Sequence, residues 1–476
     1  MKKNTGKRSQ LALKGGSYSL IVTAIVLAIL IVINIFVTTL PAILTKYDIS
    51  ASKLYSITSN TKAVVNNLKQ DVTIYWIVQA EQEDVVLENL LGKYDGLSSR
   101  IKVVKKNPDV FPTFAAQYTD EEVPNNSLIV ESGERYRYIS YEEIYEYEVD
   151  YYTYTYEITG FDGEGAITSA IDYVVSTDLP LIYVLEGHGE QDLPATFADA
   201  MEKENIVGQA IPLLTVDAVP EDADAVLIYA PQSDISEIEK TMLEDYIAAG
   251  GKLLVIAGPV KDVTFTNLNS ILTGYGVEMA EGFVIEASRN HYITGYPYSL
   301  MPDLVSHSIT DPLINSRYYP ILPLAQGMII NDESGMVSSL MNTSDSAFSK
   351  VAGFALETYE QEEGDIEGPF SLAVSVDTGE GGQIVWFSAA EFLDDTYNAY
   401  ASGANVDLVL NAVSSLLGER EALTIRSKSL NYNYLTISEE TAANLKLLMI
   451  GVFPLGYLGI GIGVIVKRRR KQNETV

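Results

Sequence analysis

The residues best placed to do chemistry sit in one short run, Gly187-His188-Gly189-Glu190. A histidine with a carboxylate two positions on can work as a base and acid pair, or the two side chains can ligate a metal ion. The same run suits a tight strand-to-helix turn, for which the glycines supply backbone freedom. A structural or partner-contacting role therefore stands beside the chemical one. His291 and His307 are the only other histidines, so a three-histidine site needs all of them to converge. Asp394, Asp395, Asn405 and Asp407 offer oxygen ligands of the kind calcium takes, although acidic clusters are ordinarily solvated surface. The chain has no cysteine, which removes thiol nucleophiles, disulfides and cysteine-held metals. It also lacks GxSxG, HExxH, Walker A, GxGxxG and EF-hand patterns. No catalytic residue, metal or cofactor is assigned on these grounds, and ATP hydrolysis by this chain is not expected. The GHGE run is carried forward as a candidate functional turn.

The elements around that turn read as α/β. Pro180 to Glu186 is a buried-strand run that ends in GHGE, after which Pro194 to Asn205 is helix-like. Ala223 to Ala230 is a second strand, Ser233 to Ala249 an amphipathic helix ended by Gly250-Gly251, and Lys252 to Ala257 a third strand. This alternation predicts a doubly wound parallel sheet with right-handed crossovers. Ligands of such sheets bind beyond the carboxyl ends of the strands, where GHGE, Pro231, Gly258 and Pro259 fall. Pro231, Gly258 and Pro259 are accordingly the candidate ligand edge. Upstream, Asp71 to Val78, Asp84 to Leu97 and Ile101 to Lys105 read as strand, helix and strand of a smaller α/β unit. Between Tyr136 and Tyr156 lie nine tyrosines interleaved with acids, an aromatic platform or, more simply, an edge strand with alternating faces. Beyond residue 275 short strands dominate, before a helix from about Val406 to Leu417.

At 476 residues the chain has room for two or three domains. Its net charge of −32 disfavours nucleic acid as a partner. The charge is uneven: the first 45 residues hold five basic and no acidic side chains, and Lys467 to Lys471 is wholly basic. Each basic end abuts an apolar run, Leu20 to Val37 and Leu447 to Val466, of a length that suggests a bilayer span. The expected organisation is then a basic cytoplasmic tail (1–18), transmembrane helix (19–44), small α/β unit (46–155), larger α/β domain with a β-rich extension (156–425), membrane-proximal linker (426–446), second transmembrane helix (447–466) and basic tail (467–476). Both termini are expected in the cytoplasm and the large middle region outside the cell membrane.

Several short motifs, taken in order, resemble those of the auxiliary subunits of ABC transporters of the gliding-motility (GldG-like) type. Asp48, Ser50, Tyr55, Ser56 and Thr61 match the entry motif after the first apolar run, with Ile57 and Thr58 in place of its usual Leu and Ser. Gly163-Glu164 with Ile167 to Ile171, and then Gly187 to Glu190, are similar to its GE…TSAI and GHGE runs. Tyr246-Ile247 with Gly250 to Val255, Asn405 to Asn411, and Ile425 to Ser429 complete the series. The resemblance implies a non-catalytic accessory subunit working beside a separate permease and ATPase. It further implies a thioredoxin-like first unit and an amidotransferase-like second one, neither able to use a thiol here. Two other readings stay open: an extracellular ligand-binding sensor using the sheet edge, and an exported hydrolase using His188 and Glu190 across a cleft.

Overall fold

The computed structural model describes residues 24–36, 54–120, 122–150, 155–176, 179–332, 334–379, 381–418, 428–430, 449–450 and 453–473. The first unit begins with helix α1 (Ser59–Asn66) and strand β1 (Val72–Ile77). Helix α2 (Val85–Leu97) follows, started by the Asp84 carboxylate, which accepts from the Leu87 amide at 2.8 Å. Strand β2 (Ile101–Lys106) pairs in parallel with β1, and β3 (Ser127–Ser132) runs antiparallel on its other side, with β4 (Arg135–Ile139) outermost. Leu87, Leu90 and Tyr94 of α2 meet Ile74, Trp76 and Leu128 of the sheet in one core. Strands β5 (Tyr145–Asp150) and β6 (Thr155–Phe161) form a hairpin, and the two-residue strand Lys428–Ser429 pairs with the edge of β6. Helix α3 (Gly163–Val175) lays Ile167, Ala170, Ile171 and Val174 into this first core.

The second unit is a three-layer α/β body. Strands β7 (Leu181–Leu185), β8 (Val207–Ile211), β9 (Ala225–Tyr229) and β10 (Lys252–Ile256) alternate with helices α4 (Ala195–Lys203) and α5 (Glu237–Ala248). After α6 (Thr266–Thr273) and a run of short strands come β11 (Ser371–Gly379), β12 (Gly382–Phe387) and helix α7 (Ala404–Leu417). The sheet runs β8-β7-β9-β10-β12-β11, with every neighbour parallel except the last pair. Alternate residues of each strand face opposite helix layers. Leu227, Leu254 and Phe387 pack against Phe197 of α4 and Leu408 of α7, while Val226, Val255 and Trp386 pack against Leu243 of α5 and Leu268 of α6. Beyond β11 the sheet continues antiparallel, through Met328–Ile330 to Val277–Met279 and separately onto Val337–Asn342.

The two expected transmembrane helices are not found. Among the described residues no helix is long and apolar enough to cross a membrane. Within the first apolar run residues 24–36 are helical, and the residues on either side of them lie outside the described ones. The helix Phe453–Asn473 has 21 residues, but Lys467 to Lys471 fall inside it, so its uncharged portion stops at Val466. The fold class is corrected to α/β with mixed sheets, and the two-span cell-membrane localisation falls with the spans. The tail at 1–18 and most of the 426–446 linker lie outside the described residues.

Candidate functional site

Strand β7 emerges from the sheet at Glu186 and turns through Gly187 and Gly189, whose φ angles are +125° and +74°. These are backbone values that a side chain disfavours. The turn folds Glu190 back on itself: its Oε2 accepts from the amides of Gly187 at 3.0 Å and His188 at 2.7 Å. Its Oε1 lies 2.9 Å from His188 Nδ1. The other ring nitrogen, Nε2, is 3.1 Å from Glu239 Oε2. Glu239 is the third residue of α5, where it and Ser236 cap the helix reciprocally. The loop after β9 closes the arrangement, since the His188 carbonyl accepts from the Gln232 amide at 3.0 Å and the Ser233 hydroxyl at 3.1 Å.

A carboxylate faces each ring nitrogen, an arrangement that favours the protonated imidazolium, in which both nitrogens donate. The hydrogen bond to Glu190, reinforced by Glu239, raises its pKa above the ordinary value in spite of burial. For Glu190, burial is the largest influence and pushes upward, but the His188 contact and the two turn amides outweigh it and the pKa is lowered. Glu239 behaves likewise, lowered against burial by Ser236 and His188. The His188, Glu190 and Glu239 side chains are 7%, 8% and 2% exposed. They clamp two elements together, and both ring nitrogens of His188 are engaged by carboxylates.

The site occupies a telling place. The chain steps from β7 outward to β8, then returns past β7 to β9, so strand order reverses between β7 and β9. GHGE closes the carboxyl end of that reversal, where ligands of open α/β sheets bind. Pro231 and Gly258 are both buried there. A Cβ on Gly258 would stand 2.9 Å from the Ala390 amide nitrogen, so that part of the edge is packed against the loop after β12. The other sequence candidates do not converge with His188. His291 contacts Asp303 and Ser288, and His307 accepts from the Ile309 amide in its own turn. Asp395 accepts from Thr196, Asp394 from the Thr396 amide, and Asn405 bridges Ile321 and Phe392 backbone. Among the described residues no group of three or more such side chains could hold a metal ion.

Sequence reading missed a second buried polar cluster. Glu164, 2% exposed, accepts from the Thr58 amide at 2.6 Å, the Thr61 hydroxyl at 2.8 Å and Lys428 Nζ at 2.8 Å. Lys428 Nζ also donates to the Ser56 carbonyl at 2.8 Å and the Leu54 carbonyl at 3.3 Å. Thr168 links Thr61 at 2.9 Å to the Tyr94 hydroxyl at 2.6 Å. The segment after residue 54, the start of α3 and the strand near residue 428 thus share one junction. The motif series quoted from the sequence contained Ser56, Glu164, Thr168 and Lys428, but no spacing rule joined residues so far apart. Glu239 was missed for a similar reason: Ser236-x-x-Glu239 is legible as a helix cap, whereas its contact with His188 is tertiary. The two units also meet directly. Arg137 reaches Asn205 at 3.0 Å and Glu202 at 3.2 Å, and Lys203 reaches Asp162 at 2.5 Å. A cleft of about 360 Å³ lies beside these contacts, walled by Tyr136, Tyr138, Tyr173 and Val207.

Residues 179–295 match a family model described as an ABC-type uncharacterized transport system, and residues 51–145 match one described as a domain of unknown function. The first match takes in β7, GHGE, α5 and β10, and supports an ABC transporter auxiliary family. No curated protein matches the chain. Among solved structures, the "mmIFT52 N-terminal domain" is similar at 14% identity and a TM-score of 0.37, covering 50% of this chain and 97% of that one. PurLQS from Thermotoga maritima is similar at 10% identity and a TM-score of 0.26, covering 50% and 100%. A putative ThuA-like protein from Parabacteroides merdae is similar at 11% identity and a TM-score of 0.26, covering 50% and 90%. At such scores these likenesses carry no argument.

Proposed function

We propose that this chain is a non-catalytic accessory component of an ABC-type transport system, acting by contact beside a separate permease and ATPase. The observation that carries the reading is the match of residues 179–295 to an ABC-type transport family. The clamp at His188 supports a role without chemistry, because a general base must reach its substrate, whereas both ring nitrogens here face carboxylates and the side chain is buried. In the same reading the first unit is thioredoxin-like and the second amidotransferase-like. The order β2-β1-β3-β4 supports the former, and five neighbouring parallel strands between helix layers support the latter.

The test is affinity purification of the tagged full chain from its native host, with wild type compared with His188→Ala/Glu190→Ala. Co-purification of a multi-span permease and a Walker-motif ATPase with wild type is expected. Recovery of the chain alone, under conditions that keep known ABC complexes intact, overturns the proposal.

A further inference from the structure

A second cavity, of about 320 Å³, lies in the first unit at the carboxyl ends of the parallel strands β1 and β2. Ile77 and Lys106, the last residues of those strands, form its floor. The loop after β2 forms its walls with Phe111, Phe114, Ala115 and Val123. That loop is anchored: the Phe111 amide donates to the Asn107 carbonyl at 2.9 Å, and Gln79 Nε2 donates to Asp109 at 2.9 Å. Phe111, which lines the cavity, is 49% exposed.

Among the described residues that line this cavity, mostly apolar but with Thr119 and Asp120 among them, Lys106 is the cation. Its Nζ lies 4.5 Å from the ring centre of Phe114, 4.9 Å from Phe111 and 5.5 Å from Tyr75. Aromatic faces hold an ammonium without neutralising it. The neighbouring Lys105 is neutralised by Glu83 at 3.3 Å and Glu88 at 3.0 Å. Lys106 forms no ion pair among the described residues. Asp120 also lines the cavity without pairing with it. Among the described residues, then, Lys106 is a cation held by rings rather than by a carboxylate. The volume is at the lower end of the roughly 300–1,000 Å³ of ligand sites.

We propose that this cavity binds a small apolar monocarboxylate, its carboxylate on Lys106 Nζ and its hydrocarbon between Phe111, Phe114 and Val123. Asp120 disfavours a second anionic group on the ligand. The proposal is independent of the transport reading.

The test is titration of the full chain with octanoate and with octan-1-ol by isothermal calorimetry. Saturable octanoate binding is expected, about tenfold or more tighter than the alcohol. From hexanoate to octanoate the affinity rises about fourfold per methylene. Lys106→Met erases the preference for octanoate, Lys106→Arg keeps it, and Ala115→Phe removes binding of both probes. The proposal is overturned by absence of saturable octanoate binding, by equal affinity for the two probes, by a preference that survives in Lys106→Met, or by wild-type binding in Ala115→Phe.

Discussion

A histidine fixed between two carboxylates ties its contribution to a defined range of pH. The pKa of His188 is raised above 6.5, so its stabilisation is complete below pH 6.5 and is lost as pH climbs through the raised value. The pKa values of Glu190 and Glu239 are lowered below 4.5, so theirs is complete above pH 4.5 and is lost as pH falls through the lowered values. Between those limits all three groups are charged and the clamp is strongest. His188→Gln, which leaves two buried carboxylates facing an uncharged amide, is expected to lose about 3 kcal/mol of stability in that window. Urea unfolding of wild type and variant across pH checks this: the difference shrinks on the alkaline side as wild type itself loses the proton. The junction at Glu164 likewise rests on a buried carboxylate facing a cation. Lys428→Met strips the buried carboxylate of its cation and is expected to cost about 3 kcal/mol at pH 7. Proteolysis at the 428–430 strand should quicken by more than global unfolding does, because that strand holds β6 by only two residues.

At the scale of elements, motifs that look arbitrary in sequence become packing requirements. Asn405, fully buried at the start of α7, accepts from the Ile321 amide at 2.9 Å and donates to the carbonyls of Ile321 at 3.0 Å and Phe392 at 2.6 Å. Asn405→Ala orphans all three backbone groups, and a loss of about 3–5 kcal/mol is expected in chemical denaturation. Gly251 needs its bare α-carbon for a different reason: a Cβ there would lie 2.5 Å from the Tyr246 carbonyl oxygen, which explains the Tyr-Ile…Gly-Gly spacing. Strands β7, β9 and β10 and helices α2 and α5 were legible because each is a run of apolar residues at the right period, closed by a cap or a glycine. Strand β8 was not. Its residues Val207 to Gln209 are exposed at the sheet edge and include Gly208, so neither burial nor alternation marks them. At the candidate site, GHGE and its two glycine turns could be read in the sequence. Its meaning could not, since Glu239 arrives from another crossover and converts a free-looking base into half of an ion cluster. In the second apolar run the charge begins at Lys467 while the helix continues to Asn473, so its uncharged part is shorter than the run suggests.

Across the whole molecule the dominant quantity is the excess of 64 acidic over 32 basic side chains. Self-repulsion on that scale works against the compact state and is screened by salt. Raising ionic strength from 0.01 to 0.15 M shortens the screening length from about 30 Å to about 8 Å. The midpoint of thermal unfolding at pH 7 is therefore expected to rise over that interval, by a few degrees. A fall would show that exposed pairs such as Arg100 with Asp71 outweigh the repulsion. The excess also makes a basic partner surface the natural complement of this one.

The junction at Glu164 has a mechanical consequence. Because Lys428 grips the carbonyls of Leu54 and Ser56, the chain from 54 to 430 closes into a ring with a clasp at this junction. Tension that separates the segments flanking that ring acts first on the clasp, peeling Lys428–Ser429 from β6 before it reaches either sheet. The two units are thus insulated from a pull on the flanks until the clasp opens.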